Sequence, residues 1–130
     1  MDKNNKIILR AYIEAARKKL KSAKILFENG SYDDCVSRAY YSVFHCAQSL
    51  LISKGLKAET HYGVKLLFGL HFIKTNIFDK KYAKYLKNLK DDREDSDYGI
   101  FTLIEKEDAE NSIKEAEEFL KETEKYLKIK

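Results

Sequence analysis

Not one of the 130 residues is proline, and only five are glycine. Proline is the strongest breaker of helix and glycine the next, so a chain rich in Lys, Glu, Leu and Ala without them can stay helical almost throughout. The length suits one domain over residues 1–130, large enough to bury a core unaided. The expectation is an all-α protein: an up-and-down bundle of four main helices plus a shorter one.

Periodicity and caps place the helices. The first runs from about Asn4 to Glu28, with Tyr12, Ala15, Ala16, Ala23, Leu26 and Phe27 inward and Arg10, Arg17, Lys21 and Lys24 opposite; Asn29-Gly30 stops it. Ser31 and Asp34 have the spacing of a capping box for a second helix reaching about Lys54. A third runs from His61, capped by Thr60, to about Thr75, its stripe being Val64, Leu67, Phe68, His71 and Thr75. Asp79 caps a fourth that continues to about Asp97, and a fifth spans about Glu105 to Leu127.

Two stripes are unusual. The second helix carries Val36, Ala39, Tyr40, Val43, Ala47, Leu50 and Leu51 on one side, and Arg38, Tyr41, Ser42, His45 and Ser49 on the other, flanked by Cys35 and Cys46. A helix that avoids Lys and Glu on both sides is covered on both, and a second subunit is one candidate cover. In the fourth helix, Tyr82, Leu86, Leu89 and Arg93 share a face. A guanidinium on an inward stripe costs several kcal/mol unless carboxylates, phosphates or an interface receive it. Asp97, one turn on, can orient it, and Tyr98 follows at the helix end.

Other chemistry is poorly served. His45, His61 and His71 lack metal-ligand spacing, and Gly63 and Gly69 lie inside a helical pattern, so neither a metal nor a phosphate loop is expected. Cys35 and Cys46 lie about 16 Å apart along one helix and should be free thiols. With no signal segment and no run of about 18 apolar residues, the chain reads as soluble and cytoplasmic. His71 reads as an interior histidine, and His61, in a helix's first turn, as a ring that the macrodipole keeps neutral. Net charge is only +4, yet residues 1–28 hold eight Lys or Arg against three acids, while residues 105–130 hold nine acids against six Lys. The basic end could face phosphate.

Four segments in order, Arg38-Ala39-Tyr40-Tyr41-Ser42-Val43-Phe44-His45, Thr60-His61-Tyr62-Gly63-Val64, Arg93-Glu94-Asp95-Ser96-Asp97-Tyr98, and Glu107-Asp108-Ala109 through Leu120, resemble the HEPN family of higher eukaryote and prokaryote nucleotide-binding domains. The likeness runs from about Ala11 to Leu127. It implies a helical bundle that forms a homodimer with its groove across the interface. It also implies, for the family's ribonucleases, metal-free and cofactor-free chemistry by an arginine followed after four to six residues by a histidine. Here Arg93 matches the arginine, but Tyr98, Gly99 and Ile100 occupy the candidate histidine positions. Other family members pair with a minimal nucleotidyltransferase in two-component, toxin-antitoxin-like systems, some being modified on a tyrosine that Tyr98 could represent.

The first reading is therefore a binding module, not an enzyme, that takes a nucleotide, RNA or a nucleotidyltransferase partner through Arg38, Tyr41, His45 and Arg93. The rivals are a metal-independent ribonuclease built on Arg93, Asp97 and Tyr98, with His45 as a possible substitute proton carrier, and a structural dimer in which Arg93 and Asp97 merely fix the bundle.

Overall fold

The computed structural model describes residues 2–98 and 103–129, the side chains of 95–98 excepted. It contains α1 (Lys3–Glu28), α2 (Tyr32–Ser53), α3 (His61–Phe68), which continues as a π turn (Gly69–Ile73), α4 (Lys81–Tyr98) and α5 (Lys106–Leu127). The all-helical expectation holds, with every main helix within a few residues of its sequence-based limits.

The stops are where turn chemistry puts them. Gly30 and Gly55 sit at φ +77° and +73°, the left-handed conformation that a residue without Cβ adopts at no steric cost. Thr60 accepts from the Gly63 amide at 2.9 Å, and Asp79 from the Lys81 amide at 2.9 Å. The Ser31–Asp34 capping box does not form: the Ser31 side chain makes no capping bond. Its amide is instead drawn into the closing turn of α1, donating to the Leu26 carbonyl at 2.9 Å. That holds Ser31 at ψ 71°, away from the extended backbone a capping side chain needs.

The third helix departs from a regular 3.6-residue stripe. The Lys74 amide donates to the Gly69 carbonyl at 2.9 Å, a bond spanning five residues that widens one turn. Widening carries Phe72 inward, fully buried and stacked on Phe68 at 5.7 Å. His71 is left only partly covered and Thr75 exposed, so neither is the core residue that straight periodicity suggests.

α2 packs against all four other helices. Part of its second face is covered by its own chain: the buried Ser42 hydroxyl donates to the Ala16 carbonyl of α1 at 2.8 Å, and Cys46 lies against Thr123 of α5. Ser42 and Cys46 are thus covered within one bundle, whereas Arg38 stays exposed and Tyr41 and His45 partly exposed. Cys35 and Cys46 are free and fully buried, and burial raises both thiol pKa values, which leaves them unreactive.

The charge asymmetry of the two ends also has an internal use. Arg17 bonds Glu124 at 2.6 Å and Lys24 bonds Glu117 at 3.1 Å. Seven residues forward along α1 match seven back along α5, so the helices run antiparallel. Two of the four cations on the basic face of α1 therefore answer α5 acids.

Between α4 and α5, Tyr85 donates to Glu118 at 3.0 Å and Lys81 pairs with Glu118. Further along, burial, opposed by a hydrogen bond from Asn88 and reinforced by the Asp92 charge, pushes the half-buried Glu115 carboxyl up to about 7 from 4.5. The folded protein thus holds this proton more tightly than the unfolded chain, so stability falls as pH rises from about 4.5 to about 7. Glu115→Gln, which stays neutral, is expected to raise the melting temperature at pH 8, by about 1 kcal/mol of stability after allowance for solvent screening. At pH 4 it should change little. Thermal melts at the two pH values check this; equal effects at both would refute it.

Candidate functional site

The middle of α2 presents consecutive tyrosines to two other helices. Tyr40 points into the core, 1% exposed, and Tyr41 stays partly exposed. Consecutive helical residues diverge by about 100°, so the two rings form adjoining walls, with centroids 5.3 Å apart and planes at 71°. From α4, Arg93 comes down over both. Its Cζ lies 5.4 Å from the Tyr41 centroid and 5.8 Å from the Tyr40 centroid, within cation–π range, and its NH2 group donates to the Tyr41 hydroxyl at 2.8 Å. Tyr82, Leu86 and Leu89 on the same stripe are buried, whereas Arg93 is partly exposed. The apolar stripe delivers the guanidinium to the bundle's edge.

From α3, His61 closes the third side. The capped first turn sets its ring 5.5 Å from Tyr40, 6.1 Å from Tyr41 and 4.7 Å from Phe44. Its Nδ1 lies 2.6 Å from the Tyr40 hydroxyl. Burial, then the neighbouring Arg93 and Lys90 charges, lower its pKa against the opposing effect of Glu94. Burial raises that of Tyr40. Among the described residues the site therefore sets a guanidinium against aromatic groups, two of them phenols and one an imidazole. A guanidinium so placed can fork onto a phosphate while the rings offer faces to a base.

Of the residues expected here, Arg93 and Tyr41 are brought together. Arg38 is exposed and forms no ion pair with a described residue. His45 lies 6.4 Å from the Tyr41 ring and stacks on Tyr12 at 6.0 Å, its Nδ1 2.9 Å from Gln48 Oε1. Among the described residues no hydrogen bond or ring contact joins Arg38 or His45 to Arg93 within one chain. The side chains of Asp97 and Tyr98 lie outside the described residues. His61, Tyr40 and Phe44 were not among the expected site residues. The Thr60 cap and the polar first turn of α3 were the available signal for His61; Tyr40 and Phe44 read as core because they are buried.

No group of three or more His, Cys, Asp or Glu side chains capable of holding a metal occurs among the described residues. No helix of those residues is long and apolar enough to cross a membrane.

The chain is similar to known proteins. The model of the HEPN domain matches residues 9–126. A UPF0332 protein of Pyrococcus horikoshii is 44% identical over 63% of this chain, a stretch that spans 58% of that relative. Two proteins of Methanocaldococcus jannaschii, each named "Putative toxin", are 41% identical over 83% of this chain and 80% of the relative, and 38% identical over 78% and 69%. The match takes in α2, α3, α4 and nearly all of α5, and so every residue of the Arg93 cluster. The chain belongs to the HEPN family.

Proposed function

We propose that this chain is a toxin-like HEPN module that binds RNA, or a nucleotide as its smallest fragment, by gripping phosphate with Arg93. The observation that carries the proposal is the setting of that guanidinium. It is anchored by the Tyr41 hydroxyl at 2.8 Å, lies over two tyrosine rings and is still partly open to solvent. A purely catalytic arginine would need a proton carrier at the end of α4, where the sequence has Tyr98. The name "Putative toxin" carried by two relatives supports the toxin-like part of the reading.

The test is fluorescence anisotropy with a labelled single-stranded RNA of mixed sequence. Saturable binding that inorganic phosphate competes for and Arg93→Ala removes supports the reading. Equal binding by both proteins overturns it.

The partner half of the proposal rests on the family resemblance: a second copy of the chain, and a minimal nucleotidyltransferase. Light scattering of the purified protein at micromolar concentration tests the first; a monomer counts against it. Co-purification with a nucleotidyltransferase encoded beside it tests the second.

A further inference from the structure

Tyr40 and His61 form the shortest polar contact of the cluster, and a single question decides their chemistry: which partner gives the proton. Tyr40 is 1% exposed, and His61 Nδ1 at 2.6 Å is the hydroxyl's hydrogen-bond partner among the described residues. If Nδ1 carried the hydrogen, the phenol proton would be left buried with nothing to receive it, at a cost of about 1–3 kcal/mol. If the phenol donates, both groups are satisfied. The imidazole hydrogen then sits on Nε2, because a neutral ring carries only one. Protonating the ring would restore the same conflict at Nδ1. The charges facing it, Arg93 and Lys90 against Glu94 on α4, and the start of α3 beneath it add to the penalty.

We infer that His61 is a second phosphate-binding group of the Arg93 site, a neutral imidazole held by Tyr40 as an Nε2–H donor to a phosphodiester oxygen. The inference rests on the proposed RNA-binding role and adds a specific assignment to it. Arg93 and His61 lie against the same two tyrosine rings, and Nε2 has no hydrogen-bond partner among the described residues. Such a ring recognises the anion without exchanging a proton. The site then holds RNA across neutral pH and does not use His61 to activate the ribose 2′-hydroxyl.

Two substitutions separate a donor from a proton carrier. A glutamine amide can reach the position of Nε2 and donate, but cannot act as acid or base; leucine can do neither. With the labelled RNA, His61→Leu is expected to bind about tenfold more weakly, the loss of roughly one neutral hydrogen bond. His61→Gln is expected within about threefold of wild type, and wild-type affinity should stay flat from about pH 6 to 8 although a free histidine titrates there. Nitrogen-15 NMR of the wild-type protein should show His61 as the Nε2–H tautomer, moving toward a mixture in Tyr40→Phe. Unchanged binding in His61→Leu, an Nδ1–H tautomer in the wild type, or RNA cleavage in EDTA that His61→Gln abolishes would each overturn the assignment while leaving Arg93-dependent binding standing. Failure of the wild-type protein to bind RNA at all removes the underlying reading and this one with it.

Discussion

Phe119→Ala is expected to destabilise the protein by about 3–5 kcal/mol, the largest effect of any single truncation proposed for this bundle. Phe119 comes from the middle of α5 and is fully buried. Its ring meets Phe68 of α3 at 5.5 Å, Phe78 of the following turn at 6.3 Å, and Tyr82 of α4 edge-on at 5.6 Å and 88°. Those partners touch one another as well, Phe68 on Phe78, Phe78 on Tyr82. Removing the shared ring leaves a cavity whose walls belong to three different segments and cannot collapse together. Aromatic pair geometry adds about 0.5–1.5 kcal/mol per contact to the area term. Urea denaturation measures this: the midpoint should fall with the slope unchanged. A loss below about 1 kcal/mol would mean that α3 and α5 are not clamped by this block.

Arg93→Ala is expected to weaken RNA binding by about 10²-fold, since hydrogen bonds to a charged group contribute about 1.5–3 kcal/mol. It should lower stability by only about 1 kcal/mol, because the residue is partly exposed and the Tyr41 hydroxyl that it bonds belongs to a partly exposed residue as well. Arg93→Lys is the sharper variant. It keeps the charge but loses the planar fork that can hold Tyr41 and a phosphate together, so affinity should fall between the two. Anisotropy at low and moderate salt, paired with thermal melts, separates the outcomes. If melting collapses while residual affinity is unchanged, Arg93 is a structural residue.

The two predictions probe different layers of one arrangement. The aromatic block of α3, α4 and α5 sets where α4 lies, and α4 carries Arg93 to the tyrosines of α2. The same block sets the path of α3, whose capped first turn brings His61 to those tyrosines from the other side. Family membership explains why these segments occur together; packing explains how three helices make one cluster.

Much of this was legible in the residues. The lack of proline, the left-handed glycines after α1 and α2, and the Thr60 and Asp79 caps act within a few residues of themselves, and so declared the helices directly. Arg93 declared itself by standing on the face of Tyr82, Leu86 and Leu89. The π turn did not: its benefit is the burial of Phe72 against the distant Tyr126 ring, a term that no local pattern contains. The part that α1 takes in covering α2 was hidden for a related reason. A poorly charged helix face says that it is covered, but the choice between α1 and a second subunit depends on how the chain returns.

By itself, then, the sequence determined an all-helical HEPN-family bundle and an arginine on an inward stripe, because helix propensity, caps and periodicity are local. Only the tertiary structure decided that Arg93 meets Tyr40, Tyr41 and His61 and that Arg38 and His45 stay apart from it. Those are contacts between helices 20 to 50 residues distant in the chain, set by which large rings fit together in the core.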